Sequence, residues 1–108
     1  MFKILIKPGV VFRQFNSQFM DFAKTLNEVS EKTGFVPTIT SAEEGEHALN
    51  SYHELGLAWD VRTRGLKNPD MAACNLQHLL SKIDRRWQVV YGDADHLSHI
   101  HIEFNLRK

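Results

Sequence analysis

The stretch "SHIHIEFN", residues 98–105, alternates strictly between polar and apolar positions once its first serine is passed. A period of two is the pattern of an extended strand with one face against a core. Its apolar positions are Ile100, Ile102 and Phe104, and its polar positions are His99, His101, Glu103 and Asn105. The segment therefore predicts a half-buried strand whose outer face presents two imidazoles and a carboxylate side by side.

Two segments, residues 16–34 and 67–84, carry apolar residues at helical spacing and predict helices. Asn16 or Ser17 can cap the first helix, and Gly34 suits its end. Asn68 can cap the second, with Pro69 in its first turn. The expected buried stripes are Phe19, Phe22, Leu26 and Val29 in the first helix and Ala72, Leu76, Leu79 and Ile83 in the second.

Four further apolar segments, residues 2–6, 35–40, 56–61 and 87–91, predict strands. Pro37 argues that the second of these lies at a sheet edge. The turn-forming stretch at residues 92–97 can make a hairpin connection into the last strand. We therefore predict an α+β fold, with two helices packed on one face of a small, largely antiparallel sheet, in a single domain over residues 1–108.

The composition limits the functions that this chain can have. Its 108 residues include 13 basic and 13 acidic ones, so no overall field favours nucleic acid or anionic lipid, and neither is expected as a partner. No apolar run is long enough for membrane insertion, and no signal peptide is visible, so synthesis in the cytoplasm is expected. We also expect a monomer. The single cysteine, Cys74, cannot form an internal disulfide and is expected to be buried.

Asp60 lies in an apolar strand, where a carboxylate is costly unless it is paired or bound to a metal. His53 precedes it by seven positions, an odd separation that would place the two side chains on opposite faces of a continuous strand. A bend at Gly56 could bring them to the same side. With one histidine of the "HIH" stretch, residues 99–101, they would form a two-imidazole, one-carboxylate set that leaves a tetrahedral Zn²⁺ one open position.

Two motifs resemble those of a known family. "SYHELGLAWD", residues 51–60, matches S-x-H-x-x-G-x-A-x-D, and "HIH" matches H-x-H, of the zinc D-Ala-D-Ala peptidases, a group that includes lysostaphin-type enzymes and the hedgehog signalling domain. Small phage-encoded members, such as endolysins, look most similar, since they often carry a further histidine before the first motif, here His47, and end in H-x-H-x-E. The resemblance covers roughly residues 36–105.

The resemblance implies a zinc-dependent peptidoglycan peptidase that acts on stem or cross-link peptides of the bacterial cell wall, as a D-alanyl-D-alanine carboxypeptidase or an endopeptidase. It implies that His53, Asp60 and His101 hold zinc. His99 would then be the general base, since imidazole is the side chain best suited to proton transfer near neutral pH. Two further positions support the site in this interpretation: Ser51 orients the loop or a ligand, and Glu103 holds His101 or His99.

This chain departs from the family in two places. Ser98 stands where many relatives have an acidic base, so the base must be His99 or, failing that, His96 or Asp95. The loop after residues 38–41 lacks the arginine that many relatives use to polarise the substrate. Arg62 and Arg64 are candidates to replace it, although Arg64 is expected to be a solvated surface charge.

These departures favour an alternative, namely a zinc-containing module that binds cell wall or forms part of a phage particle without cleaving. A lone histidine is more often a surface or core residue than a ligand, and we expect this of His78 on the second helix. For His47 it is the alternative to a supporting or substrate-binding role at the site.

Overall fold

The computed structural model describes residues 3–44, 51–93 and 97–108. Within them lie two helices and five strands, whose bounds in chain order are β1 Leu5–Ile6, α1 Ser17–Thr33, β2 Thr38–Ser41, β3 Ala58–Arg62, α2 Pro69–Ile83, β4 Trp87–Val90 and β5 His99–Phe104. The strands form one sheet in the order β1-β2-β3-β5-β4. Only β1 and β2 pair in parallel, so the predicted α+β class with a largely antiparallel sheet is confirmed.

The prediction that Pro37 marks an edge strand is wrong. Strand β2 lies between β1 and β3, and Pro37 directly precedes it. Proline lacks an amide hydrogen but keeps its carbonyl, which here accepts a hydrogen bond from the Leu5 amide at 2.8 Å. The residue thus begins the parallel pairing with β1 instead of preventing it.

Helix α1 begins and ends as its sequence predicts. The Asn16 side chain, not that of Ser17, accepts a hydrogen bond from the Phe19 amide at 2.8 Å, which satisfies a donor of the first turn. The helix ends at Gly34, whose φ of 76° is the left-handed conformation that glycine adopts without steric cost. Phe22 of this helix stacks on Trp59 of β3 with ring centroids 4.8 Å apart.

Helix α2 is rotated slightly from the predicted orientation. Asn68 caps it through the Met71 amide, and Pro69 is its first residue, as expected. Its buried residues are Ala72, Leu76 and Leu80, whereas Leu79 is half-buried and Ile83 is 51% exposed. Cys74 is exposed, so its predicted burial is wrong. It lies about 200° around the helix axis from Ala72 and therefore faces away from the core.

The core fills one side of the sheet. Buried residues of both helices join the inward-facing strand residues in one cluster, whose strand members include Trp59, Val61, Trp87, Ile100, Ile102 and Phe104. No helix among the described residues has both the length and the apolar character to cross a bilayer. Since both helices bury their apolar stripes on this side, the polar face of β3 and β5 remains available for a site.

Candidate metal centre

The two central strands bring the polar residues of the two motifs together. In the β3–β5 register Asp60 lies opposite His101, and Arg62 lies opposite His99. Directly opposed residues of an antiparallel pair project from the same face. The burial of β5 alternates residue by residue, with Ile100, Ile102 and Phe104 inside. The register therefore sets His101 Nδ1 2.9 Å from Asp60 Oδ1.

A compact turn before β3 carries His53 to the same place. The Ser51 hydroxyl accepts the Glu54 amide at 3.2 Å, and the Gly56 amide donates to the His53 carbonyl at 3.1 Å. Gly56 has a φ of +73°, so the chain does bend where the sequence suggested. His53 Nε2 consequently lies 3.6 Å from Asp60 Oδ1. In this structure Ser51 acts on the turn that positions the histidine.

His53, Asp60 and His101 form a group that could hold a metal ion, because one ligand atom from each lies within 4.8 Å of the others. Zinc–ligand bonds of about 2.0–2.1 Å in a tetrahedron place ligand atoms about 3.3 Å apart. The measured separations of 2.9 Å and 3.6 Å from Asp60 Oδ1 bracket that value. All three side chains are 13–15% exposed, so the group is sheltered but reachable from solvent.

An oxygen acceptor orients each imidazole ring. His53 Nδ1 lies 2.9 Å from the Ala42 carbonyl, to which it can donate, so that Nε2 is the atom facing Asp60. His101 is turned the other way, with Nε2 2.8 Å from Glu103 Oε1 and Nδ1 toward Asp60. Metal-binding histidines usually hydrogen-bond an oxygen through their second nitrogen, which fixes the tautomer and the ring orientation.

Glu103 is itself held by further polar side chains. The Asn105 amide donates to Glu103 Oε2 at 3.1 Å and to Gln88 Oε1 at 3.3 Å, and the Tyr52 hydroxyl donates to Asn105 Oδ1 at 2.9 Å. Strand alternation had placed Asn105 on this face. The roles of Tyr52 and Gln88 were not predicted, since they depend on the turn and on the register that sets Gln88 opposite Glu103.

Two glutamates, which no sequence motif connects with the site, hold the loop that carries the Ala42 carbonyl. Glu44 Oε1 accepts the Ala42 amide at 2.8 Å, and the Ser41 hydroxyl donates to Glu44 Oε2 at 2.7 Å. Glu43 is buried, and its carboxylate accepts the backbone amides of Arg13 and Gln14. The loop after β2 is therefore built around acidic side chains.

The charges in the centre stabilise one another. Burial alone would raise the pKa of Asp60, but hydrogen bonds from His101 and His53 outweigh it and hold that pKa well below its usual range. Burial alone would lower the pKa of His101, but its hydrogen bonds to Asp60 and Glu103 raise it above the ordinary value. In the metal-free protein both nitrogens of His101 face carboxylate oxygens, which favours the imidazolium form.

His99 lies at the rim of the group. Its Nε2 is 3.9 Å from Asp60 Oδ2, its Nδ1 is 3.2 Å from the Ser98 hydroxyl, and its side chain is 26% exposed. Arg62 is its partner across the strands, whereas Arg64 follows the end of β3 and is exposed.

Four other histidine or acid predictions have separate outcomes. Three of them lie outside the described residues, namely His47, Asp95 and His96. His96 is the second predicted catalytic histidine. His78 is exposed on α2, as expected of a histidine outside the site.

The chain was compared with family models, with curated proteins and with solved structures. None of them matches it. Its functional interpretation therefore depends on the geometry of this centre and on the two short motifs.

Proposed function

We propose that this protein is a zinc-dependent metallopeptidase that hydrolyses amide bonds in peptidoglycan peptides, of the D,D-carboxypeptidase or endopeptidase type. The observation that carries the proposal is the convergence of His53, Asp60 and His101, with both rings oriented by oxygen acceptors. The resemblance of residues 51–60 and 99–101 to the D-Ala-D-Ala peptidase motifs supports the substrate class. It also supports release from the cytoplasm to the cell wall, as for a phage endolysin.

The donor set fits Zn²⁺ better than it fits the hard cations. Two imidazoles and one carboxylate are borderline ligands, whereas Ca²⁺ and Mg²⁺ prefer all-oxygen sites. With three protein ligands a bound Zn²⁺ keeps one position open, where it supplies Lewis-acid polarisation of a carbonyl and lowers the pKa of a water. Among the described residues cysteine takes no part, since Cys74 lies on the outer face of α2.

His99 is positioned to move the protons of such a reaction. Its Nε2 lies 3.9 Å from an Asp60 oxygen, near enough to accept a proton from a water in the centre. Its exposure allows the ring to turn toward a bound peptide and return that proton to the leaving amine. Ser98 stands where the D-Ala-D-Ala peptidases often have an acidic residue. Its hydroxyl contacts Nδ1 of His99 and so helps to orient that ring.

A second candidate function is a zinc-containing module that binds a cell-wall fragment without cleaving it. The acidic construction of the loop after β2 favours this candidate, because Glu43 and Glu44 are committed to backbone amides where relatives offer a cation to the substrate. Arg62 lies two residues after Asp60 on β3 and extends from the same face. It is the candidate to contact the substrate in place of the missing arginine.

Metal analysis of purified protein combined with digestion of defined muropeptides tests the proposal. New free amines, with fragments whose masses sum to that of the muropeptide plus one water, identify cleavage, whereas measurable binding with unchanged masses identifies the second candidate. We expect about one zinc per chain and release of a D-residue-containing product. A protein without zinc, or with zinc and no cleavage of any muropeptide, would refute the peptidase assignment.

Histidine variants separate metal binding from turnover. His101→Ala should abolish both zinc content and peptide release. His99→Ala should retain zinc and lose a factor of about 10² or more in turnover, the usual scale for loss of a general base. His78→Ala, an exposed histidine on α2, is the matched control and should leave both unchanged. Full cleavage by His99→Ala would remove that residue from the mechanism.

A further inference from the structure

A cavity of about 470 Å³ lies at the end of the sheet where β2 begins and β3 ends. Residues of the α1–β2 connection form one wall, and residues of the β3–α2 connection form the other. His53, Asp60 and His101 do not contribute to it. Its volume is typical of sites that hold small organic ligands, which range from about 300 to 1,000 Å³.

Three cations line this cavity, namely Arg62, Arg64 and Lys67, and none of the described residues that line it is acidic. In residues 3–44, 51–93 and 97–108, none of the three forms an ion pair with a carboxylate. The chain as a whole is neutral, so this concentration of one sign is local. Like charges gathered around one hollow repel one another, and a bound anion would relieve that repulsion.

The remaining walls are apolar and partly open. Phe35 and Leu66 are half-buried, and Met71 is 53% exposed. The first turn of α2 begins at the cavity with Asn68 and also carries Asp70, which does not line the cavity, so the positive charge of the hollow comes from the three cations. The hollow therefore combines positive charge with apolar contact surface.

We propose that this cavity binds a small organic anion, with its acidic group toward Arg62, Arg64 and Lys67 and its apolar part against Phe35, Leu66 and Met71. Arginine and lysine recognise carboxylates and phosphoryl groups through charge-assisted hydrogen bonds. Aliphatic and aromatic walls favour an occupant with a ring or a short chain over an inorganic ion. This inference does not depend on the proposed peptidase activity, because the cavity excludes the three candidate metal ligands.

Titration with phenylphosphonate, followed by amide chemical shifts of the isotope-labelled protein, tests the inference. We expect saturable shifts at residues 33–38 and 62–72, and an affinity that falls as salt is added. Inorganic phosphate, which lacks the ring, and benzyl alcohol, which lacks the charge, should each bind at least about tenfold more weakly. His101→Ala should bind phenylphosphonate as the unaltered protein does, because His101 does not line the cavity.

The variant Arg64→Glu/Lys67→Glu should lose at least about tenfold in affinity for phenylphosphonate. Both residues are exposed, so the double variant should keep its fold, as circular dichroism can verify. Arg107→Glu, which reverses an exposed charge near the C-terminus, is the control and should bind normally. Absence of shifts at the cavity, shifts only around residues 53, 60 and 101, or undiminished binding by the double variant would each overturn the inference.

Discussion

Removing the Glu103 carboxylate should weaken metal binding although Glu103 is not one of the three candidate ligands. Glu103 Oε1 lies 2.8 Å from His101 Nε2, and its other oxygen is held by Asn105. Without this acceptor the His101 ring loses both its orientation and part of its basicity. Loss of such a partner typically costs 10- to 100-fold in metal affinity, or about 1.4–2.7 kcal/mol. We expect Glu103→Ala to fall in that range.

The carboxylate can be separated from the hydrogen bond by a milder change. Glu103→Gln keeps an oxygen that can accept from His101 Nε2 but removes the negative charge, so we expect a loss of less than about tenfold. The assay is competition for Zn²⁺ against a chromophoric chelator, with circular dichroism to verify folding. Glu54→Ala removes an exposed carboxylate from the turn that carries His53 and serves as the control. If Glu103→Ala binds Zn²⁺ as tightly as the control does, Glu103 does not support His101.

The remaining predictions concern pH dependence, stability and the turn that carries His53. The raised pKa of His101 means that its pairing stabilises the metal-free fold fully below about pH 6.5 and that this contribution is lost as pH rises through the raised pKa. The lowered pKa of Asp60 acts in the opposite sense, since its contribution is present above about pH 4 and is lost on acidification. Urea titrations of metal-free protein should show both limbs, and His101→Ala should flatten the alkaline one. Gly56→Ala should lower the free energy of unfolding by at least about 1–2 kcal/mol, because Gly56 has a positive φ and a Cβ there would lie 2.9 Å from Nε2 of Gln14. An unchanged midpoint of thermal unfolding would contradict this. Asn16→Asp keeps the helix cap but removes the amide that donates to the Gly56 carbonyl at 3.0 Å, so chelator competition should show weaker Zn²⁺ binding while the α1 signal in circular dichroism stays intact.

Local patterns predicted the elements of this fold well. The period-two stretch from His99 to Phe104 forms a strand with the expected inner and outer faces. Asn16 and Gly34 mark the two ends of α1, as capping chemistry requires. The errors arose where a residue type was given a single meaning. The missing donor of Pro37 predicts an edge strand, but its carbonyl takes part in the pairing of β1 with β2.

Cooperation between distant segments was harder to predict. The seven-residue spacing of His53 and Asp60 suggested a bend at Gly56, and one exists. The acceptor for His53, however, is a main-chain carbonyl at Ala42, and side-chain identity contains no signal for it. Its position depends on how the loop after β2 folds around Glu44, which only the assembled structure reveals.

The three candidate ligands come from parts of the molecule with different resistance to opening. Asp60 and His101 face each other across two interior strands, whereas His53 lies in the turn before β3, outside the hydrogen-bonded ladder of the sheet. Central strands of a sheet separate only in near-global unfolding events, but surface turns fluctuate open at far lower free energy. Departure of a captured cation would begin with the swing of a single imidazole, so its residence time would be governed by the lifetime of that turn and could be lengthened without altering any ligand.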